Sequence, residues 1–375
     1  MDQTLAPENA AELMPEERIY VATQWQLMWY RFRRHKLAVI GTLVAMALYL
    51  MALFADFLAP YGKLDRFSQH IYAPPQSIRF FAEGRLRAPF TYALIPKPDP
   101  ITFRRIFEVD KTTRYPLRFF VRGVEYKFLG LIKSDLHLFG VDQGGTIFLL
   151  GTDLLGRDVF SRVLAGSVIS LSIGLVGVFS SFILGCLLGG ISGLYGGMAD
   201  IIIQRIIEFL TSIPTIPLWM ALSAAVPKNW SAIQVYFAIT IILSLRGWCS
   251  IARVVRGKLL QVKEEDFVMA ARLSGARDWR ILTRHLLPAT VSYLIVEMTL
   301  AVPQMILGET SLSFLGLGLR PPVVSWGVLL QLAQNVRTVS MNPWLLTPAA
   351  WVILTVMAFN FMGDGLRDAA DPYHR

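Results

Sequence analysis

Long apolar stretches without a single Asp, Glu, Lys or Arg alternate with short polar segments along most of this chain. They lie at 37–55, 163–199, 209–227, 229–245 and 338–363. An α-helix needs about 20 mostly apolar residues to cross the hydrocarbon core of a bilayer. A further apolar stretch, with only two acidic residues, precedes the last of them. The pattern therefore predicts an all-α polytopic membrane protein with six transmembrane helices.

The stretch from residue 60 to residue 150 breaks this pattern. It is rich in proline, holds charges of both signs, and contains β-favouring runs at Tyr115–Val121 and Glu125–Leu131. Arg122 and Gly123 lie between those runs, and glycine supports the positive φ of a hairpin turn, so we expect a hairpin there. The sequence therefore predicts a small β-containing insert, followed by a five-helix core at 151–362.

Charge assigns the two sides of the membrane. A basic cluster at 31–36 directly precedes the first span, residues 37–59. Because cytoplasmic flanks carry the excess of Lys and Arg, we expect residues 1–36 to be a cytoplasmic tail. Six spans then return the tail at 363–375 to the same side. The insert at 60–150 would be extracytoplasmic, since long segments cross the membrane largely regardless of charge.

The N-terminal tail contains a predicted amphipathic helix, Glu16–Tyr30. It bears Trp25, Trp29 and Tyr30, and such aromatic rings prefer the lipid–water boundary. We therefore expect an interfacial helix. The first 30 residues are acidic and amphipathic and lack the short apolar core of a cleavable signal peptide, so the first span is expected to stay as an anchor.

Composition excludes several classes of protein. Hydrophobic residues make up 54% of the 375 residues and the mean hydropathy is +0.48, too apolar for an ordinary soluble protein. The net charge of +9 is a bias that membrane proteins acquire from cytoplasmic Lys and Arg. No basic stripe is interleaved with aromatics, so we expect no nucleic-acid partner. The five histidines, Cys186 and Cys249 show no ligand spacing, so we expect no metal site and no disulfide.

The segment Gly151–Arg162, GTDLLGRDVFSR, leads into the second span. Thr152 or Asp153 can cap the following helix, and Asp158 and Arg162 have the i, i+4 spacing of a helical ion pair. We expect a structural elbow there and assign it no chemistry.

A short basic loop, residues 253–288, separates two apolar spans and holds eight basic against four acidic residues. Within it, Ala270 and Ala271 are small enough for another protein to approach closely. Gly275 permits a sharp chain reversal, and Pro288 suits the first turn of the next helix. The pattern predicts a helix–turn–helix at the membrane surface.

Four motifs resemble the second permease subunit of ABC importers for oligopeptides and dipeptides. The loop just described is similar to that family's EAA loop, with Met269 in place of its Glu and His285 in place of a branched apolar residue. GTDLLGRD, SLSFLGLG and GDGLRDAADP follow the family's other motifs in the same order. The insert resembles the extended forms of a subgroup that includes permeases for peptide-nucleotide antibiotics of the microcin C type.

The resemblance implies a type I importer permease fold in a bacterial inner membrane. It also implies a second permease subunit, two ATPase subunits and a periplasmic solute-binding protein as partners. ATP and Mg would lie on the ATPase subunits, because this chain has no GxxxxGK[ST] phosphate loop. We therefore expect neither a bound cofactor nor enzymatic activity here. The predicted ATPase contacts are Asp266, Phe267, Met269, Ala270, Ala271, Arg272 and Gly275.

Three residues within apolar spans are candidates for the pathway or its gate. Pro214 lies three residues before Pro217, and such a pair disrupts a helix ladder, so we expect a kinked third span. Glu297 lies mid-span and either lines the pathway or hydrogen-bonds the partner subunit. We expect Glu309 to shape the outer gate rather than to bind the solute.

Functions of two classes stay open. The first is a permease that forms half of an importer pathway for peptides, although similar permeases carry sugars, opines or metal chelates. The second is a secondary transporter, which would need no ATPase. Such carriers commonly show inverted repeats and several buried ionisable residues. This sequence shows no internal repeat and few such residues.

Overall fold

The computed structural model of the protein describes residues 24–82, 85–100, 105–128, 131–142, 144–227 and 229–370. The parts of the predicted tails before Gln24 and after Ala370 lie outside this range. The helices are α1 Gln24–Arg34, α2 Lys36–Leu53, α3 Ala55–Leu58, α4 Val159–Tyr195, α5 Gly197–Ser212, α6 Thr215–Ala224, α7 Ala232–Val262, α8 Asp266–Leu273, α9 Asp278–Ile281, α10 Leu287–Phe314, α11 Trp326–Gln331, α12 Val336–Met341 and α13 Thr347–Ala370. A π-helical turn, Leu282–Leu286, joins α9 to α10.

Six spans are present when a bent pair of helices counts as one. Among the described residues, α2, α4, α7, the continuous α9–α10 segment and α13 are long and apolar enough to cross a membrane. The helices α5 and α6 qualify together and meet at 89°. The predicted all-α six-span class is therefore confirmed. The third span is a pair of separate helices, however, where a single kinked helix was expected.

The helices extend past the predicted ends of the spans. α4 has 37 residues, about 55 Å at 1.5 Å per residue, which exceeds the hydrocarbon core. α7 continues to Val262, so the first ten residues of the predicted loop at 253–288 are helical. α13 continues to Ala370, into the predicted tail. Apolar runs mark only the part of a helix that is suited to the membrane interior, whereas its backbone hydrogen bonds continue through polar residues.

A row of glycines brings α4 close to α7. A Cβ at Gly189 would lie 2.5 Å from the carbonyl oxygen of Ala252, and one at Gly185 would lie 2.6 Å from Cβ of Ile251. Small residues at such crossings let helix backbones approach where lipid offers no hydrophobic driving force. The α4–α7 pair is therefore the tightly packed centre of the helical core.

The insert contains one antiparallel sheet in which neighbouring strands are consecutive, β1-β2-β3-β4. The strands are β1 Arg79–Ala82, β2 Arg85–Pro98, β3 Arg105–Phe128 and β4 Ile132–Val141. The predicted β content of the insert is present. Its face towards the helices is apolar, where Phe139 of β4 packs near Phe160 of α4 at a ring separation of 6.0 Å.

The predicted hairpin turn at Arg122–Gly123 is wrong. Both residues lie inside the 24-residue strand β3, and the chain reverses only after Phe128, which pairs with Ile132. Gly123 instead makes room for the side chain of His137, because a Cβ at position 123 would lie 2.7 Å from Cδ2 of that residue. That imidazole is buried, and its ring nitrogens contact the carbonyl oxygens of Ala59 and Val124. Glycine marks a side-chain contact here, not a turn.

The predicted ion pair and cap at the elbow are also wrong. Asp158 is the N-cap of α4 and accepts from the Ser161 backbone N–H at 2.8 Å. Arg162 pairs with Asp153 instead. Thr152 does not cap the helix, and its hydroxyl accepts from the Ala73 backbone N–H at 2.8 Å. A one-dimensional spacing rule missed these partners because the elbow folds back on itself.

Candidate coupling surface and gate

The predicted coupling segment is a short helix with a well-defined end. α8 stops at Leu273, and Gly275 takes φ +77°, which favours glycine. Its N–H donates to the carbonyl of Arg272 at 2.9 Å, and the next N–H, of Ala276, donates to the carbonyl of Ala271 at 3.1 Å. These two bonds form a Schellman motif. The predicted chain reversal at Gly275 is therefore present, as a Schellman turn that ends α8.

One face of α8 is anchored and the other is free. Val268 is fully buried and packs in an apolar cluster with Leu259 of α7 and Ile281 of α9. Phe267 and Met269 are 45% and 49% exposed. Of the remaining predicted contacts, Asp266, Ala270 and Arg272 are exposed, whereas Ala271 is partly buried and packs against that cluster. The helix is thus fixed to the core by one side while it presents a mixed apolar and polar side outward.

Two further exposed apolar residues belong to this surface and were missed. Leu273 is 89% exposed and Trp279 is 61% exposed. Leu273 follows Met269 by four residues, so both lie on one helical face. That spacing was visible in the sequence, whereas the position of Trp279 depends on the reversal at Gly275. We call the face made by Phe267, Met269, Leu273 and Trp279 the coupling face.

The candidate pathway residues lie apart from one another. Pro214 is at the break between α5 and α6. Glu297 and Glu309 both belong to α10, twelve residues apart, which corresponds to about 18 Å along the helix. Glu297 is half-buried and accepts from the Ser250 hydroxyl of α7 at 2.8 Å. The structure does not bring these three into one cavity.

Glu309 is fully buried among three serine hydroxyls. It accepts from Ser170 of α4 at 3.2 Å, from Ser313 at 2.8 Å and from Ser325 at 2.6 Å. Each of these hydroxyls also accepts a hydrogen bond from a backbone N–H. On Ser170 the donor is the N–H of Trp326, at 3.1 Å. A buried carboxylate requires such donors. The cluster therefore joins α4, α10 and the start of α11.

Most of the helix α11, which follows α10 in the chain, is buried. Trp326 is fully buried and its indole N–H donates to the carbonyl of Val163 at 3.1 Å. Gly327 allows the approach, since a Cβ there would lie 2.7 Å from Cβ of Ser313. The Glu309 cluster and Trp326 together fix the loop that follows α10 against α4.

A second buried polar cluster lies at the elbow beside the insert. Asp153 accepts from Nε of Arg157 at 2.8 Å and also pairs with Arg162, and all three side chains are less than 10% exposed. Burial raises the pKa of Asp158 to about 7, although hydrogen bonds from Ser161 oppose this effect. In the described part of the chain, no group of three His, Cys, Asp or Glu side chains could hold a metal ion.

Comparison with known proteins identifies two family regions. The family described as "Binding-protein-dependent transport system inner membrane component" matches residues 181–374, and "N-terminal TM domain of oligopeptide transport permease C" matches residues 23–75. Neither match includes the strands of the insert.

Individual relatives extend the match. The chain is 42% identical to the dipeptide transport system permease protein of Bacillus subtilis (strain 168), over 59% of this chain and 68% of the relative. It is 33% identical to the glutathione transport system permease protein of Pectobacterium atrosepticum, over 94% of this chain and 92% of the relative. An inward-facing structure of the MetNI methionine ABC transporter matches with a TM-score of 0.44 and 19% identity, over 56% of this chain and 96% of that one.

Proposed function

This chain belongs to the family of binding-protein-dependent inner-membrane permeases of ABC importers, and we propose that it imports peptides and receives the force for transport through α8. It is a multi-pass transmembrane permease subunit. Membership of this importer family removes the alternative of a secondary transporter. Within the proposal, it forms half of a pathway whose other half is a second permease subunit. A periplasmic binding protein delivers the solute.

The cargo is proposed from the relatives. The matched proteins are named as permeases for dipeptides, oligopeptides and glutathione. All three solutes are peptides, and one of these relatives is similar over nearly the whole chain. This chain's own pathway residues support no choice of cargo by themselves, because Glu309 is buried and Glu297 hydrogen-bonds Ser250.

The coupling face is the observation that favours an ATPase partner. Monomeric proteins rarely expose contiguous apolar side chains, and such patches mark protein contacts. Phe267, Met269 and Leu273 each expose an apolar side chain on a loop that is otherwise rich in charge. Two ATPase subunits would bind ATP and Mg, with α8 of each permease seated on one of them, and this chain would contribute no catalysis. The N-terminus, the C-terminus and α8 would then lie in the cytoplasm.

Uptake in proteoliposomes tests the cargo. The complete importer would be purified through a tag on this chain, reconstituted with ATP inside the vesicles, and supplied with its binding protein and a radiolabelled tripeptide. We expect uptake that needs ATP and the binding protein and is competed by unlabelled peptides. Uptake of a sugar, an opine or a nickel chelate with no uptake of peptide would contradict the peptide proposal and identify the alternative cargo.

A further inference from the structure

The bend between α5 and α6 leaves two backbone carbonyls without helical donors. In a continuous helix the carbonyls of Leu210 and Ile213 would accept from the N–H groups four residues later. Those positions are Pro214 and Pro217, and proline has no N–H. Within a membrane-spanning segment each unpaired carbonyl is costly, so a neighbouring helix must supply the donors.

Arg246 of α7 supplies them. Its Nη1 donates to the carbonyl of Ile213 at 2.8 Å and, at 3.5 Å, to that of Leu210. The guanidinium is half-buried near the middle of α7, which is itself a candidate span. A charged residue at that place is functional by default. A cation at the C-terminal end of α5 is also favoured by the helix dipole.

The other end of α5 is held by the same helix. Arg256 of α7 donates to both carboxylate oxygens of Asp200, through Nε and Nη2, at 2.6 Å each. This bidentate pair is geometrically specific. Between the two arginines, Ile207 of α5 packs in an apolar cluster with Trp248 and Ala252 of α7. α5 is therefore fixed to α7 along its length.

α7 also leads directly into the coupling segment. Only residues 263–265 separate its end from α8, and Leu259 packs against Val268 of α8. A displacement of α8 would therefore move α7, and α7 would move α5 with it. Beyond these contacts the helical hydrogen-bond ladder is first interrupted at the break at Pro214.

We propose that Arg246 is a positioning residue that sets the bend at Pro214 and delivers movement of α8 to it, so that α6 opens or closes the pathway. This inference rests on the proposed coupling through α8. Arg246 touches no solute in this role. It acts by holding Ile213, while the Arg256–Asp200 pair holds the opposite end of α5.

The test compares three single variants in the reconstituted importer. Arg246→Met removes the donors, Arg246→Lys keeps a cation with donors, and Arg205→Met is the matched control. Arg205 lies on α5 in an exposed ion pair with Glu208 of the same helix. We expect Arg246→Met to lower peptide uptake per ATP hydrolysed about tenfold, within the usual range of coupling between sites. Arg246→Lys should recover part of the loss, and the control should keep the wild-type ratio. An Arg246→Met ratio equal to that of the control would overturn the proposal.

A second set of variants covers the case in which Arg246→Met does not assemble. Pro214→Ala with Pro217→Ala restores the two missing N–H groups. If Arg246 is needed because it donates to the two carbonyls, adding both proline changes to Arg246→Met should restore assembly of the complex. Uptake should stay lost, because the bend is relaxed. Failure of the triple variant to assemble when the double variant does would contradict the assignment.

A spectroscopic measurement separates this inference from the peptide proposal. Spin labels at Ile216 of α6 and Leu307 of α10, in a background with Cys186 and Cys249 replaced by Ala, report the bend without any cargo. Both labelled positions are exposed. We expect ATP and vanadate to change the distance between the labels in the importer and not in Arg246→Met. A change of the same size in Arg246→Met would refute the role of Arg246, whatever solute the importer carries.

Discussion

Folded proteins usually expose charged side chains and bury apolar ones, and the two ends of this permease depart from that rule in opposite ways. At the end near the insert, charged groups are buried: Asp153 and Arg162 are about 2% exposed, and Glu309 is fully buried. At the α8 end, apolar groups are exposed, with Leu273 at 89% and Trp279 at 61%. Buried charges and exposed apolar patches are the informative exceptions on a protein.

The difference shows which end is complete within this chain. The buried charges have their partners inside the same chain, so these ion pairs need no other subunit. The coupling face has no partner among the described residues, and an apolar surface of this kind indicates a binding partner. Changes at the first end should therefore affect folding, and changes at the second should affect association.

Removal of Asp153 should have the largest effect on stability. Asp153→Ala leaves Arg157 and Arg162 buried without a counter-charge, which costs about 3–5 kcal/mol. Thermal unfolding of the detergent-purified protein measures the loss. Glu108→Ala is the matched control, because its pair with Lys97 is exposed on both sides and is worth about 0–1 kcal/mol. Equal shifts in the two variants would contradict the contrast between buried and exposed pairs.

Replacement of Glu309 should cause the second-largest loss of stability. Glu309→Ala leaves the hydroxyls of Ser170, Ser313 and Ser325 without their acceptor, a loss of about 3 kcal/mol. Glu309→Gln keeps one acceptor oxygen and should lose less. The same unfolding assay should rank wild type, Gln and Ala in descending stability. If Glu309→Ala melts with the wild type and only transport falls, the carboxylate acts on the solute and the gate interpretation is wrong.

A charge on the coupling face should weaken association without weakening the fold. Leu273→Asp is expected to reduce the affinity for the ATPase subunits about tenfold, or about 1.4 kcal/mol. The melting temperature of the isolated permease should stay that of the wild type, because the side chain packs on little. Leu131→Asp, at another highly exposed leucine, 84% exposed in the insert, should leave the affinity unchanged. Biolayer interferometry on nanodisc-embedded permease measures both affinities.

Gly275→Ala should have the smallest effect. Its φ of +77° costs a Cβ-bearing residue about 1 kcal/mol, and an added Cβ would meet no atom within 4 Å, so no clash adds to that strain. We expect weaker ATPase association by less than the Leu273→Asp change, measured in the same assay. Gly275→Asn, which tolerates positive φ better, should lie between Ala and the wild type; the reverse order would show that the turn is not what matters.

Much of this architecture follows from local rules. Uncharged runs long enough for a bilayer predicted the spans, and glycine at a C-terminal position predicted the reversal after α8. Pro214 and Pro217 predicted that the third span would be disturbed. These features depend on residues that are neighbours in the chain, so the sequence alone was sufficient for them.

The sequence-based predictions failed where a residue's contact partner depends on how the chain folds and not on the spacing along it. Gly123 faces His137 from the next strand, and Arg162 binds Asp153 instead of Asp158. Arg246 meets Ile213 across 33 positions, at the point where an expected kink is a break of 89°. No spacing rule contains these contacts, because they depend on how helices and strands are placed against one another.

Photo-cross-linking at the coupling face shows whether α8 contacts an ATPase subunit in the assembled importer. The photoreactive amino acid benzoylphenylalanine would replace Leu273 in the complete importer, with Leu131 as the matched position in the insert. We expect a cross-link from position 273 to an ATPase subunit and none to that subunit from position 131. A cross-link from 273 to the second permease subunit or to lipid, with none to the ATPase, would contradict α8 as the coupling helix.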